Sequence, residues 1–340
     1  MKKTRLAVVG LGMASKPHVK SLRDLADRVD VAAVFSPNAE RRQAFAEAHG
    51  LPAADNLDAI LSDKTIEAVM ILTPPNTHLE LVQQAAKAGK HILLEKPLEI
   101  TPARAEALVE AAETADVRLG VVLQHRFRPI SVALAGLIRD GRLGTLVSAS
   151  ARLHNWRPQS YYDQPGRGTK ARDGGGVLLT QAVHTLDLLI SLVGLPVEVT
   201  GYCTTSPVHR METEDLAMGA IRFADGALGS ISATTCAYPG YPDAIDVIGT
   251  NGMATLAGST VRAQFHDGSM FEQDDGAIGG GAGADPMDFP HDHHRAVLTD
   301  FLDAIAGGRD ARVSGREALK VHSLIAAMLQ AAEAGRPQAV

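Results

Sequence analysis

From Leu6 to about Gln124 the sequence alternates short β-branched apolar runs with helical stretches: LAVVG, then 14–28; VAAVF, then NAERRQAFAEAHG; AVMILT, then HLELVQQAAKAGK; HILLE, then PARAEALVEAAETA; and last RLGVVLQ. Strand and helix in strict alternation indicate βαβ units around a parallel sheet. The runs are apolar throughout, the pattern of strands covered by helices on both faces. Beyond Gln124 the rhythm changes. A helix over 131–140, the strand-like LVSASARL and an apolar helix after the triple glycine 174–176 lead into VEVTGYC, LAMGAIRF, ALGSISATT, AIDVIGT, MATLAG and VRAQFH, with no helix between them. Joined by turns such as ADGA and TNGM, these runs predict an antiparallel sheet with helices on one side. GAIGGGAGADP, 276–286, is too glycine-rich for regular structure and predicts a mobile loop. Two helices, near 292–307 and 315–335, close the chain. The expected fold is α/β: an N-terminal Rossmann domain with a doubly wound parallel sheet, 1–123, plus a C-terminal α+β domain, 124–340, with a large, mostly antiparallel open sheet.

Composition narrows the function classes. The 340 residues are 45% hydrophobic with net charge −6, and the basic residues are dispersed, which argues against electrostatic binding of nucleic acid or membrane. No run approaches the roughly 18 apolar residues of a membrane span. The apolar run after Lys2 and Lys3 is too short for a secretory signal, so a cytoplasmic location is expected. The two cysteines, Cys203 and Cys236, have no CxxC spacing and suggest neither a disulfide framework nor a thiolate zinc site. HDHH, 291–294, opens a helix; His291 and His294 have no carboxylate or cysteine at a ligand spacing, and Asp292 and His293 read as helix-start and surface residues. No metal is expected.

The first strand runs into VVGLGMASKPH, so Gly10 and Gly12 stand between a strand and a helix, where a dinucleotide fingerprint requires them. Gly10 permits the tight turn and Gly12 the approach of a pyrophosphate to the helix N-terminus; Ser15 replaces the third glycine. The second strand ends in Ser36 where an acidic residue would accept from the ribose 2′-OH of NAD. Ser36 with Arg41 or Arg42 suits a 2′-phosphate, so NADP is the first expectation and NAD the second. Ligands of such sheets sit beyond the carboxyl ends of the strands, which brings forward Thr73, Pro74, Asn76 and His78 after the third strand and Glu95, Lys96 and Pro97 after the fourth.

GLGxxSxxH at 10–18, TPPNTH at 73–78, EKP at 95–97 and GGGVLLTQAVHTLD at 174–187 together resemble the glucose-fructose oxidoreductase, inositol dehydrogenase and MocA (Gfo/Idh/MocA) family of NAD(P)-dependent oxidoreductases. HRFRP at 125–129, METEDLAMGAIRFADGALG at 211–229 and IDVIGTNGMATL at 245–256 extend the resemblance along nearly the whole chain. It implies hydride transfer between nicotinamide and a secondary alcohol or ketone of a sugar, polyol or sugar derivative, and a homodimer or homotetramer formed through the C-terminal sheet. It implies Lys96 and His184 as catalytic residues, and adds Leu11, Met13, Ala14 and Gln124 to the cofactor contacts and Arg126 to the substrate contacts. NWRPQSYYDQPGRGTKARDGGG, 155–176, is similar to a subgroup whose residues line the substrate pocket, with Arg157, Tyr161, Arg167 and Lys170 suited to a polyhydroxylated ligand. Where the family commonly has Asp four residues before the histidine, this chain has Thr180, which can hydrogen-bond a hydroxyl but cannot titrate near neutrality. Two alternatives remain: a non-catalytic cofactor sensor, and a redox-assisted glycosidase or lyase on the same fold.

At about 100° per residue, Thr180, His184, Asp187 and Ser191 fall in one narrow polar stripe of an otherwise apolar helix. The stripe is expected to face the nicotinamide, with Asp187 orienting the helix edge.

Overall fold

The computed structural model describes residues 3–276, 283 and 290–340. Two compact units divide it: residues 1–123 with 291–319, and residues 124–290 with 320–340. The division read from the sequence differs in one respect, because 291–319 returns to the first unit. Most of GAIGGGAGADP lies outside the described residues.

The first unit begins β1 (Thr4–Val9), α1 (Ser15–Asp24), β2 (Val29–Phe35), α2 (Ala39–His49), α3 (Leu57–Ser62), β3 (Ala68–Ile71), α4 (His78–Lys87), β4 (His91–Leu94), α5 (Pro102–Thr114) and β5 (Leu119–Val121). All five strands are parallel, in the order β2-β1-β3-β4-β5, so the fold is the Rossmann type expected. Leu6 to Val9 and Ala68 to Ile71 are buried at every position, as strands with both faces covered must be. The chain turns from β2 on one side of β1 to β3 on the other, which makes the ends of β1 and β3 the topological switch point where such sheets take their ligands.

The second unit contains α6 (Pro129–Arg139), β6 (Leu146–His154), the short α7 (Gln159–Tyr162), α8 (Val183–Val193), β7 (Glu198–Thr204), β8 (Leu216–Arg222), β9 (Leu228–Thr234), β10 (Ala244–Gly249), β11 (Gly252–Ala257), β12 (Thr260–Phe265) and β13 (Met270–Asp274). With β14 (Gln338–Ala339) these strands form a nine-stranded sheet, β13-β12-β11-β10-β6-β9-β8-β7-β14, antiparallel except where β6 pairs with β9. Helices α6 and α8 cover one face, α8 against β6 and β10 and α6 against β11 and β12. The opposite face carries a lateral row, Arg222, Leu228, Ser148, Ile248, Met253, Gln264 and Met270, each paired with the next across the sheet and so projecting to one side. Leu228 is 59% exposed and Met270 71%, with Tyr202 and Met218 paired on β7 and β8 and also exposed.

Helix α9 (Asp292–Gly307) belongs to the first unit, where it packs on α1 and β4. Its Phe301 is fully buried over Gly120, and Val121 donates its N–H to the Val313 carbonyl. The chain crosses to the second unit within α10 (Gly315–Ala334). Among the described residues no helix is long and apolar enough to cross a membrane.

Candidate active site

Gly10 sits at φ +100°, and a Cβ there would lie 2.7 Å from the Leu72 carbonyl carbon. Only glycine fits where β1 passes this close to the end of β3. Around Gly12, by contrast, a Cβ would meet nothing within 4 Å, and Ala14, the N-cap of α1, offers no side-chain cap. Backbone N–H groups at an open, uncapped helix start are what a pyrophosphate requires, so this turn fits a dinucleotide. Leu11 is buried, whereas Gly12, Met13 and Ala14 are accessible. Ser15 is buried and donates its hydroxyl to the Gly12 carbonyl at 2.7 Å, holding the turn where the third glycine would pack.

Ser36 is buried at the end of β2 and its carbonyl accepts from Arg42 Nη1 at 2.8 Å. Asn38 caps α2 by accepting the Arg41 N–H, which leaves the Arg41 side chain exposed beside the strand end. Thr73, Pro74 and Asn76 are accessible at the end of β3. His78, expected beside the cofactor, is instead fully buried. Its ring nitrogens lie 2.9 Å from the Thr73 carbonyl and 3.1 Å from those of Pro97 and Leu98, so it ties the TPPNTH turn to the EKP turn. Burial holds its pKa below the ordinary histidine value.

Glu95 is also turned inward. One carboxylate oxygen meets His18 Nε2 at 2.7 Å and the other accepts the Lys96 N–H at 3.0 Å. Burial opposes its charge, but the His18 hydrogen bond and nearby positive charge prevail and hold the pKa below the usual carboxylate range. His294 from α9 meets His18 edge to face, with ring centroids 5.1 Å apart, and its pKa is pushed down to about 3 by burial and by His18. The carboxylate sought near His294 in sequence is thus Glu95, supplied from β4, while His291 pairs with Asp24 at 2.8 Å. Lys96 itself, half-buried, follows this pinned position and begins the EKP turn.

In the second unit the burial pattern keeps only part of the predicted stripe: Thr180, His184 and Ser191 are accessible, whereas Asp187 turns inward. From Gly175 to Ile190 every residue is buried except Thr180 and His184. The helix opens as a π-helical turn, Leu178–Ala182, before α8 begins, the kind of irregularity that recurs at functional positions. Gly176 is obligatory here, since a Cβ would collide with the Glu214 carbonyl oxygen. Glu214 in turn accepts the N–H groups of Gly176 and Leu178 at 3.0 and 3.1 Å, capping the segment with its carboxylate, and burial pushes its pKa up. Thr180 donates its hydroxyl to the Gly176 carbonyl at 2.6 Å. His184 stacks on His125, centroids 5.0 Å apart, and His125 Nδ1 lies 3.4 Å from Asp243. Asp187 is wholly buried and receives Arg126 Nε and Nη2 at 2.8 and 2.6 Å. Arg126 therefore anchors α8, and a substrate contact would have to use the rest of its donor set. Gln124 is buried, and its amide oxygen has no hydrogen-bond partner among the described residues.

In the segment resembling the subgroup, the Tyr161 ring carries the Arg167 guanidinium 4.3 Å from its centroid, and Arg167 donates to the Tyr161 hydroxyl at 2.7 Å. Arg157 is buried, 5.8 Å from the same ring, and donates to the Trp156 carbonyl. Lys170 is exposed. No role for Asp243, His209 or Cys236 follows from the sequence, and His125, Glu214 and Asp215 enter it only within the motifs HRFRP and METEDLAMGAIRFADGALG.

Residues 4–123 match the Gfo/Idh/MocA oxidoreductase family, NAD-binding Rossmann fold, and residues 132–255 match the Gfo/Idh/MocA C-terminal domain. Inositol 2-dehydrogenase of Rhizobium meliloti is 30% identical over 256 residues, 73% of this chain and 74% of that one. Myo-inositol 2-dehydrogenase of Thermotoga maritima is 28% identical over 253 residues, 73% of each. The WlbA dehydrogenase of Bordetella pertussis, solved in complex with NADH and UDP-GlcNAcA, superposes on 100% of this chain and 99% of its own with a TM-score of 0.86 and 29% identity.

Proposed function

Because the chain belongs to the Gfo/Idh/MocA oxidoreductase family, it is an NAD-binding dehydrogenase acting on CH–OH groups, and we propose that its substrate is a secondary alcohol of a sugar, polyol or sugar derivative, or the matching ketone. The observation that carries this reading is the accessibility of His184 and Thr180 on a helix segment otherwise buried over 175–190. A core helix keeps such a pair open only where something must reach it.

In the oxidative direction His184 takes the hydroxyl proton and Lys96 stabilises the developing alkoxide. The nicotinamide, when bound, supplies the hydride chemistry. The turn from Gly10 to Ala14 would hold the pyrophosphate, and Thr73, Pro74 and Asn76 the adjoining stretch of the cofactor. Ser36 with Arg41 and Arg42 favours NADP over NAD, since no carboxylate stands at the strand end to repel a 2′-phosphate. Gln124, whose amide oxygen seeks a donor, suits a ligand N–H or O–H. The Tyr161 ring offers a face for sugar C–H groups and Arg157, Arg167 and Lys170 supply donors, while Arg126 orients α8. Thr180, whose hydroxyl meets the Gly176 carbonyl and the Gln181 side chain, offers its oxygen to a substrate hydroxyl as an acceptor. The exposed apolar side chains on one face of the nine-stranded sheet, Leu228, Ile248, Met253 and Met270 with Tyr202 and Met218, support a homodimer or homotetramer through it.

The test is a panel of sugars and polyols assayed for cofactor reduction, with a chromogenic glycoside alongside, using wild type, Lys96→Met and His184→Asn. Turnover in the wild type and a loss of about 10²–10⁴-fold in each variant, with the thermal shift on NADPH retained, is expected. Turnover that survives in both variants refutes the assignment. Equal thermal shifts with NADH and NADPH remove the cofactor preference.

A further inference from the structure

Outside the residues assigned to dehydrogenation, a second cluster is built from two segments of the second unit. Asp215 immediately precedes β8, Cys236 follows β9, and His209 and Ser206 stand in the connection between β7 and β8. His209 and Asp215 side chains are wholly buried, while Cys236 and Ser206 are half-buried and give access from solvent. His209 Nδ1 lies 2.7 Å from Asp215 Oδ2, Cys236 Sγ lies 3.2 Å from the same oxygen, and Sγ lies 3.7 Å from Nδ1. Ser206 Oγ completes the group, 2.8 Å from Asp215 Oδ2 and 3.1 Å from Cys236 Sγ.

The other ring nitrogen decides what Nδ1 can do. His209 Nε2 lies 2.8 Å from the Arg157 carbonyl. A carbonyl oxygen only accepts, so Nε2 carries a proton and a neutral ring turns the Nδ1 lone pair toward Asp215 and Cys236. A histidine whose far nitrogen donates to a backbone carbonyl, and whose near nitrogen converges with a thiol and a carboxylate, has the orientation of a metal ligand with its outer shell in place. The geometry points to a zinc site formed by His209 Nδ1, Asp215 and Cys236 Sγ, with Ser206 Oγ or a water as the fourth ligand. Zn–N near 2.0 Å and Zn–S near 2.3 Å put nitrogen and sulfur about 3.5 Å apart at a tetrahedral angle, close to the 3.7 Å found here. The nitrogen–oxygen pair must open by roughly half an ångström once no proton is shared across it. One thiolate, one imidazole and one carboxylate form a set for zinc, not magnesium or calcium, which take oxygen ligands.

Charge balances in the exchange. Without metal, the two ring nitrogens of His209 rest on the Asp215 carboxylate and the Arg157 carbonyl. With metal, Zn²⁺ balances the Asp215 carboxylate and the Cys236 thiolate around a neutral imidazole. The ion would clip the β7–β8 connection to the end of β9 and, through His209 Nε2, to the backbone of Arg157. The site is independent of the proposed substrate class.

The experiment uses the full-length, tag-free protein, stripped with a chelator and titrated with cobalt(II) and then zinc. One equivalent of cobalt giving the intense visible bands of a tetrahedral ion plus a thiolate-to-cobalt charge-transfer band, both lost when one equivalent of zinc displaces the cobalt, is expected. Cys236→Ser should remove the charge-transfer band and weaken zinc binding by at least about 10–100-fold, whereas Cys203→Ser should change neither. Absence of a tetrahedral cobalt spectrum in the wild type overturns the assignment, whatever the variants do, and so does a charge-transfer band that survives Cys236→Ser. In either case the cluster is a metal-free ion pair.

Discussion

Replacing Arg126 by Met tests how α8 is held. The guanidinium donates twice to Asp187 at 2.8 and 2.6 Å, and the two residues are 5% and 0% exposed. Methionine keeps most of the apolar stem but removes both guanidinium hydrogen bonds from the buried Asp187 carboxylate. Removing one member of a buried pair costs about 3–5 kcal/mol, because the remaining charge keeps its desolvation penalty. Trp156, the single tryptophan, lies in the second unit with the pair, so its fluorescence follows unfolding of that unit in urea. With m near the upper end of about 1–3 kcal/mol per molar, the midpoint should fall by about 1–2 M. The double variant Arg126→Met/Asp187→Leu removes both charges and should recover to within about 0.5 M of wild type, since a buried pair is often no better than packed apolar groups. A single-variant shift below about 0.3 M, or a double variant no better than the single, would refute the picture of a desolvated anchor. Asp187 lies one turn beyond His184, so Arg126→Met should also lower turnover more than it alters cofactor binding.

Further outcomes follow from the same physics. Gly10→Ala, with its Cβ driven to 2.7 Å from the Leu72 carbonyl carbon at φ +100°, should weaken NADPH or NADH binding at least about 10-fold in fluorescence titration. Unchanged affinity would remove the turn from the cofactor site. Gly176→Ala must displace the Glu214 backbone and should cost at least about 1–3 kcal/mol in the Trp156-monitored transition. His294, with a folded pKa of about 3 against an unfolded value near 6.5, takes its proton more readily in the unfolded chain. Stability should therefore fall as pH drops below about 6.5, by up to about 1.4 kcal/mol per pH unit, with the low pKa of Glu95 adding to the loss below about 4.3. His294→Leu should flatten thermal stability between about pH 6.5 and 4.5; an unchanged slope assigns the acid limb to other groups.

The sequence is informative wherever a residue's role is local. Period and punctuation locate β1 to β5, Gly10 and the accessible Thr180 and His184 after Gly176, because each depends on neighbours within a turn or a strand; Asp187, read into the same stripe, is buried by Arg126, which no local pattern announces. The return of 291–319 to the first unit leaves no such mark: it rests on Phe301 over Gly120 and on Val313 pairing with Val121. His78 carried a misleading signal, since a histidine after a strand end is equally suited to a ligand and to buried carbonyls, and only the fold brings Pro97 and Leu98 to its ring. β13 and β14 escaped for another reason. Met270–Asp274 has no buried residue, and Gln338–Ala339 contributes only two residues to the edge of the sheet.

The dipeptide Glu214–Asp215 shows how distant pieces of the second unit become one device. Successive side chains of an extended chain point to opposite sides. Here the first reaches back to cap the segment that leads to His184, and the second gathers Ser206, His209 and Cys236. Through His209 Nε2 the second group also holds the Arg157 carbonyl, next to the only tryptophan. A shift of β8 along its own axis would therefore disturb both the helix that carries the proposed base and the segment that carries the proposed substrate contacts. Neither can be retuned alone without breaking a buried hydrogen bond, a cost of about 1–3 kcal/mol for each group left unpaired. That constraint explains why METEDL can be polar at four of six positions and still run directly into a core strand: Thr213, Glu214 and Asp215 are all buried, each with hydrogen-bond partners.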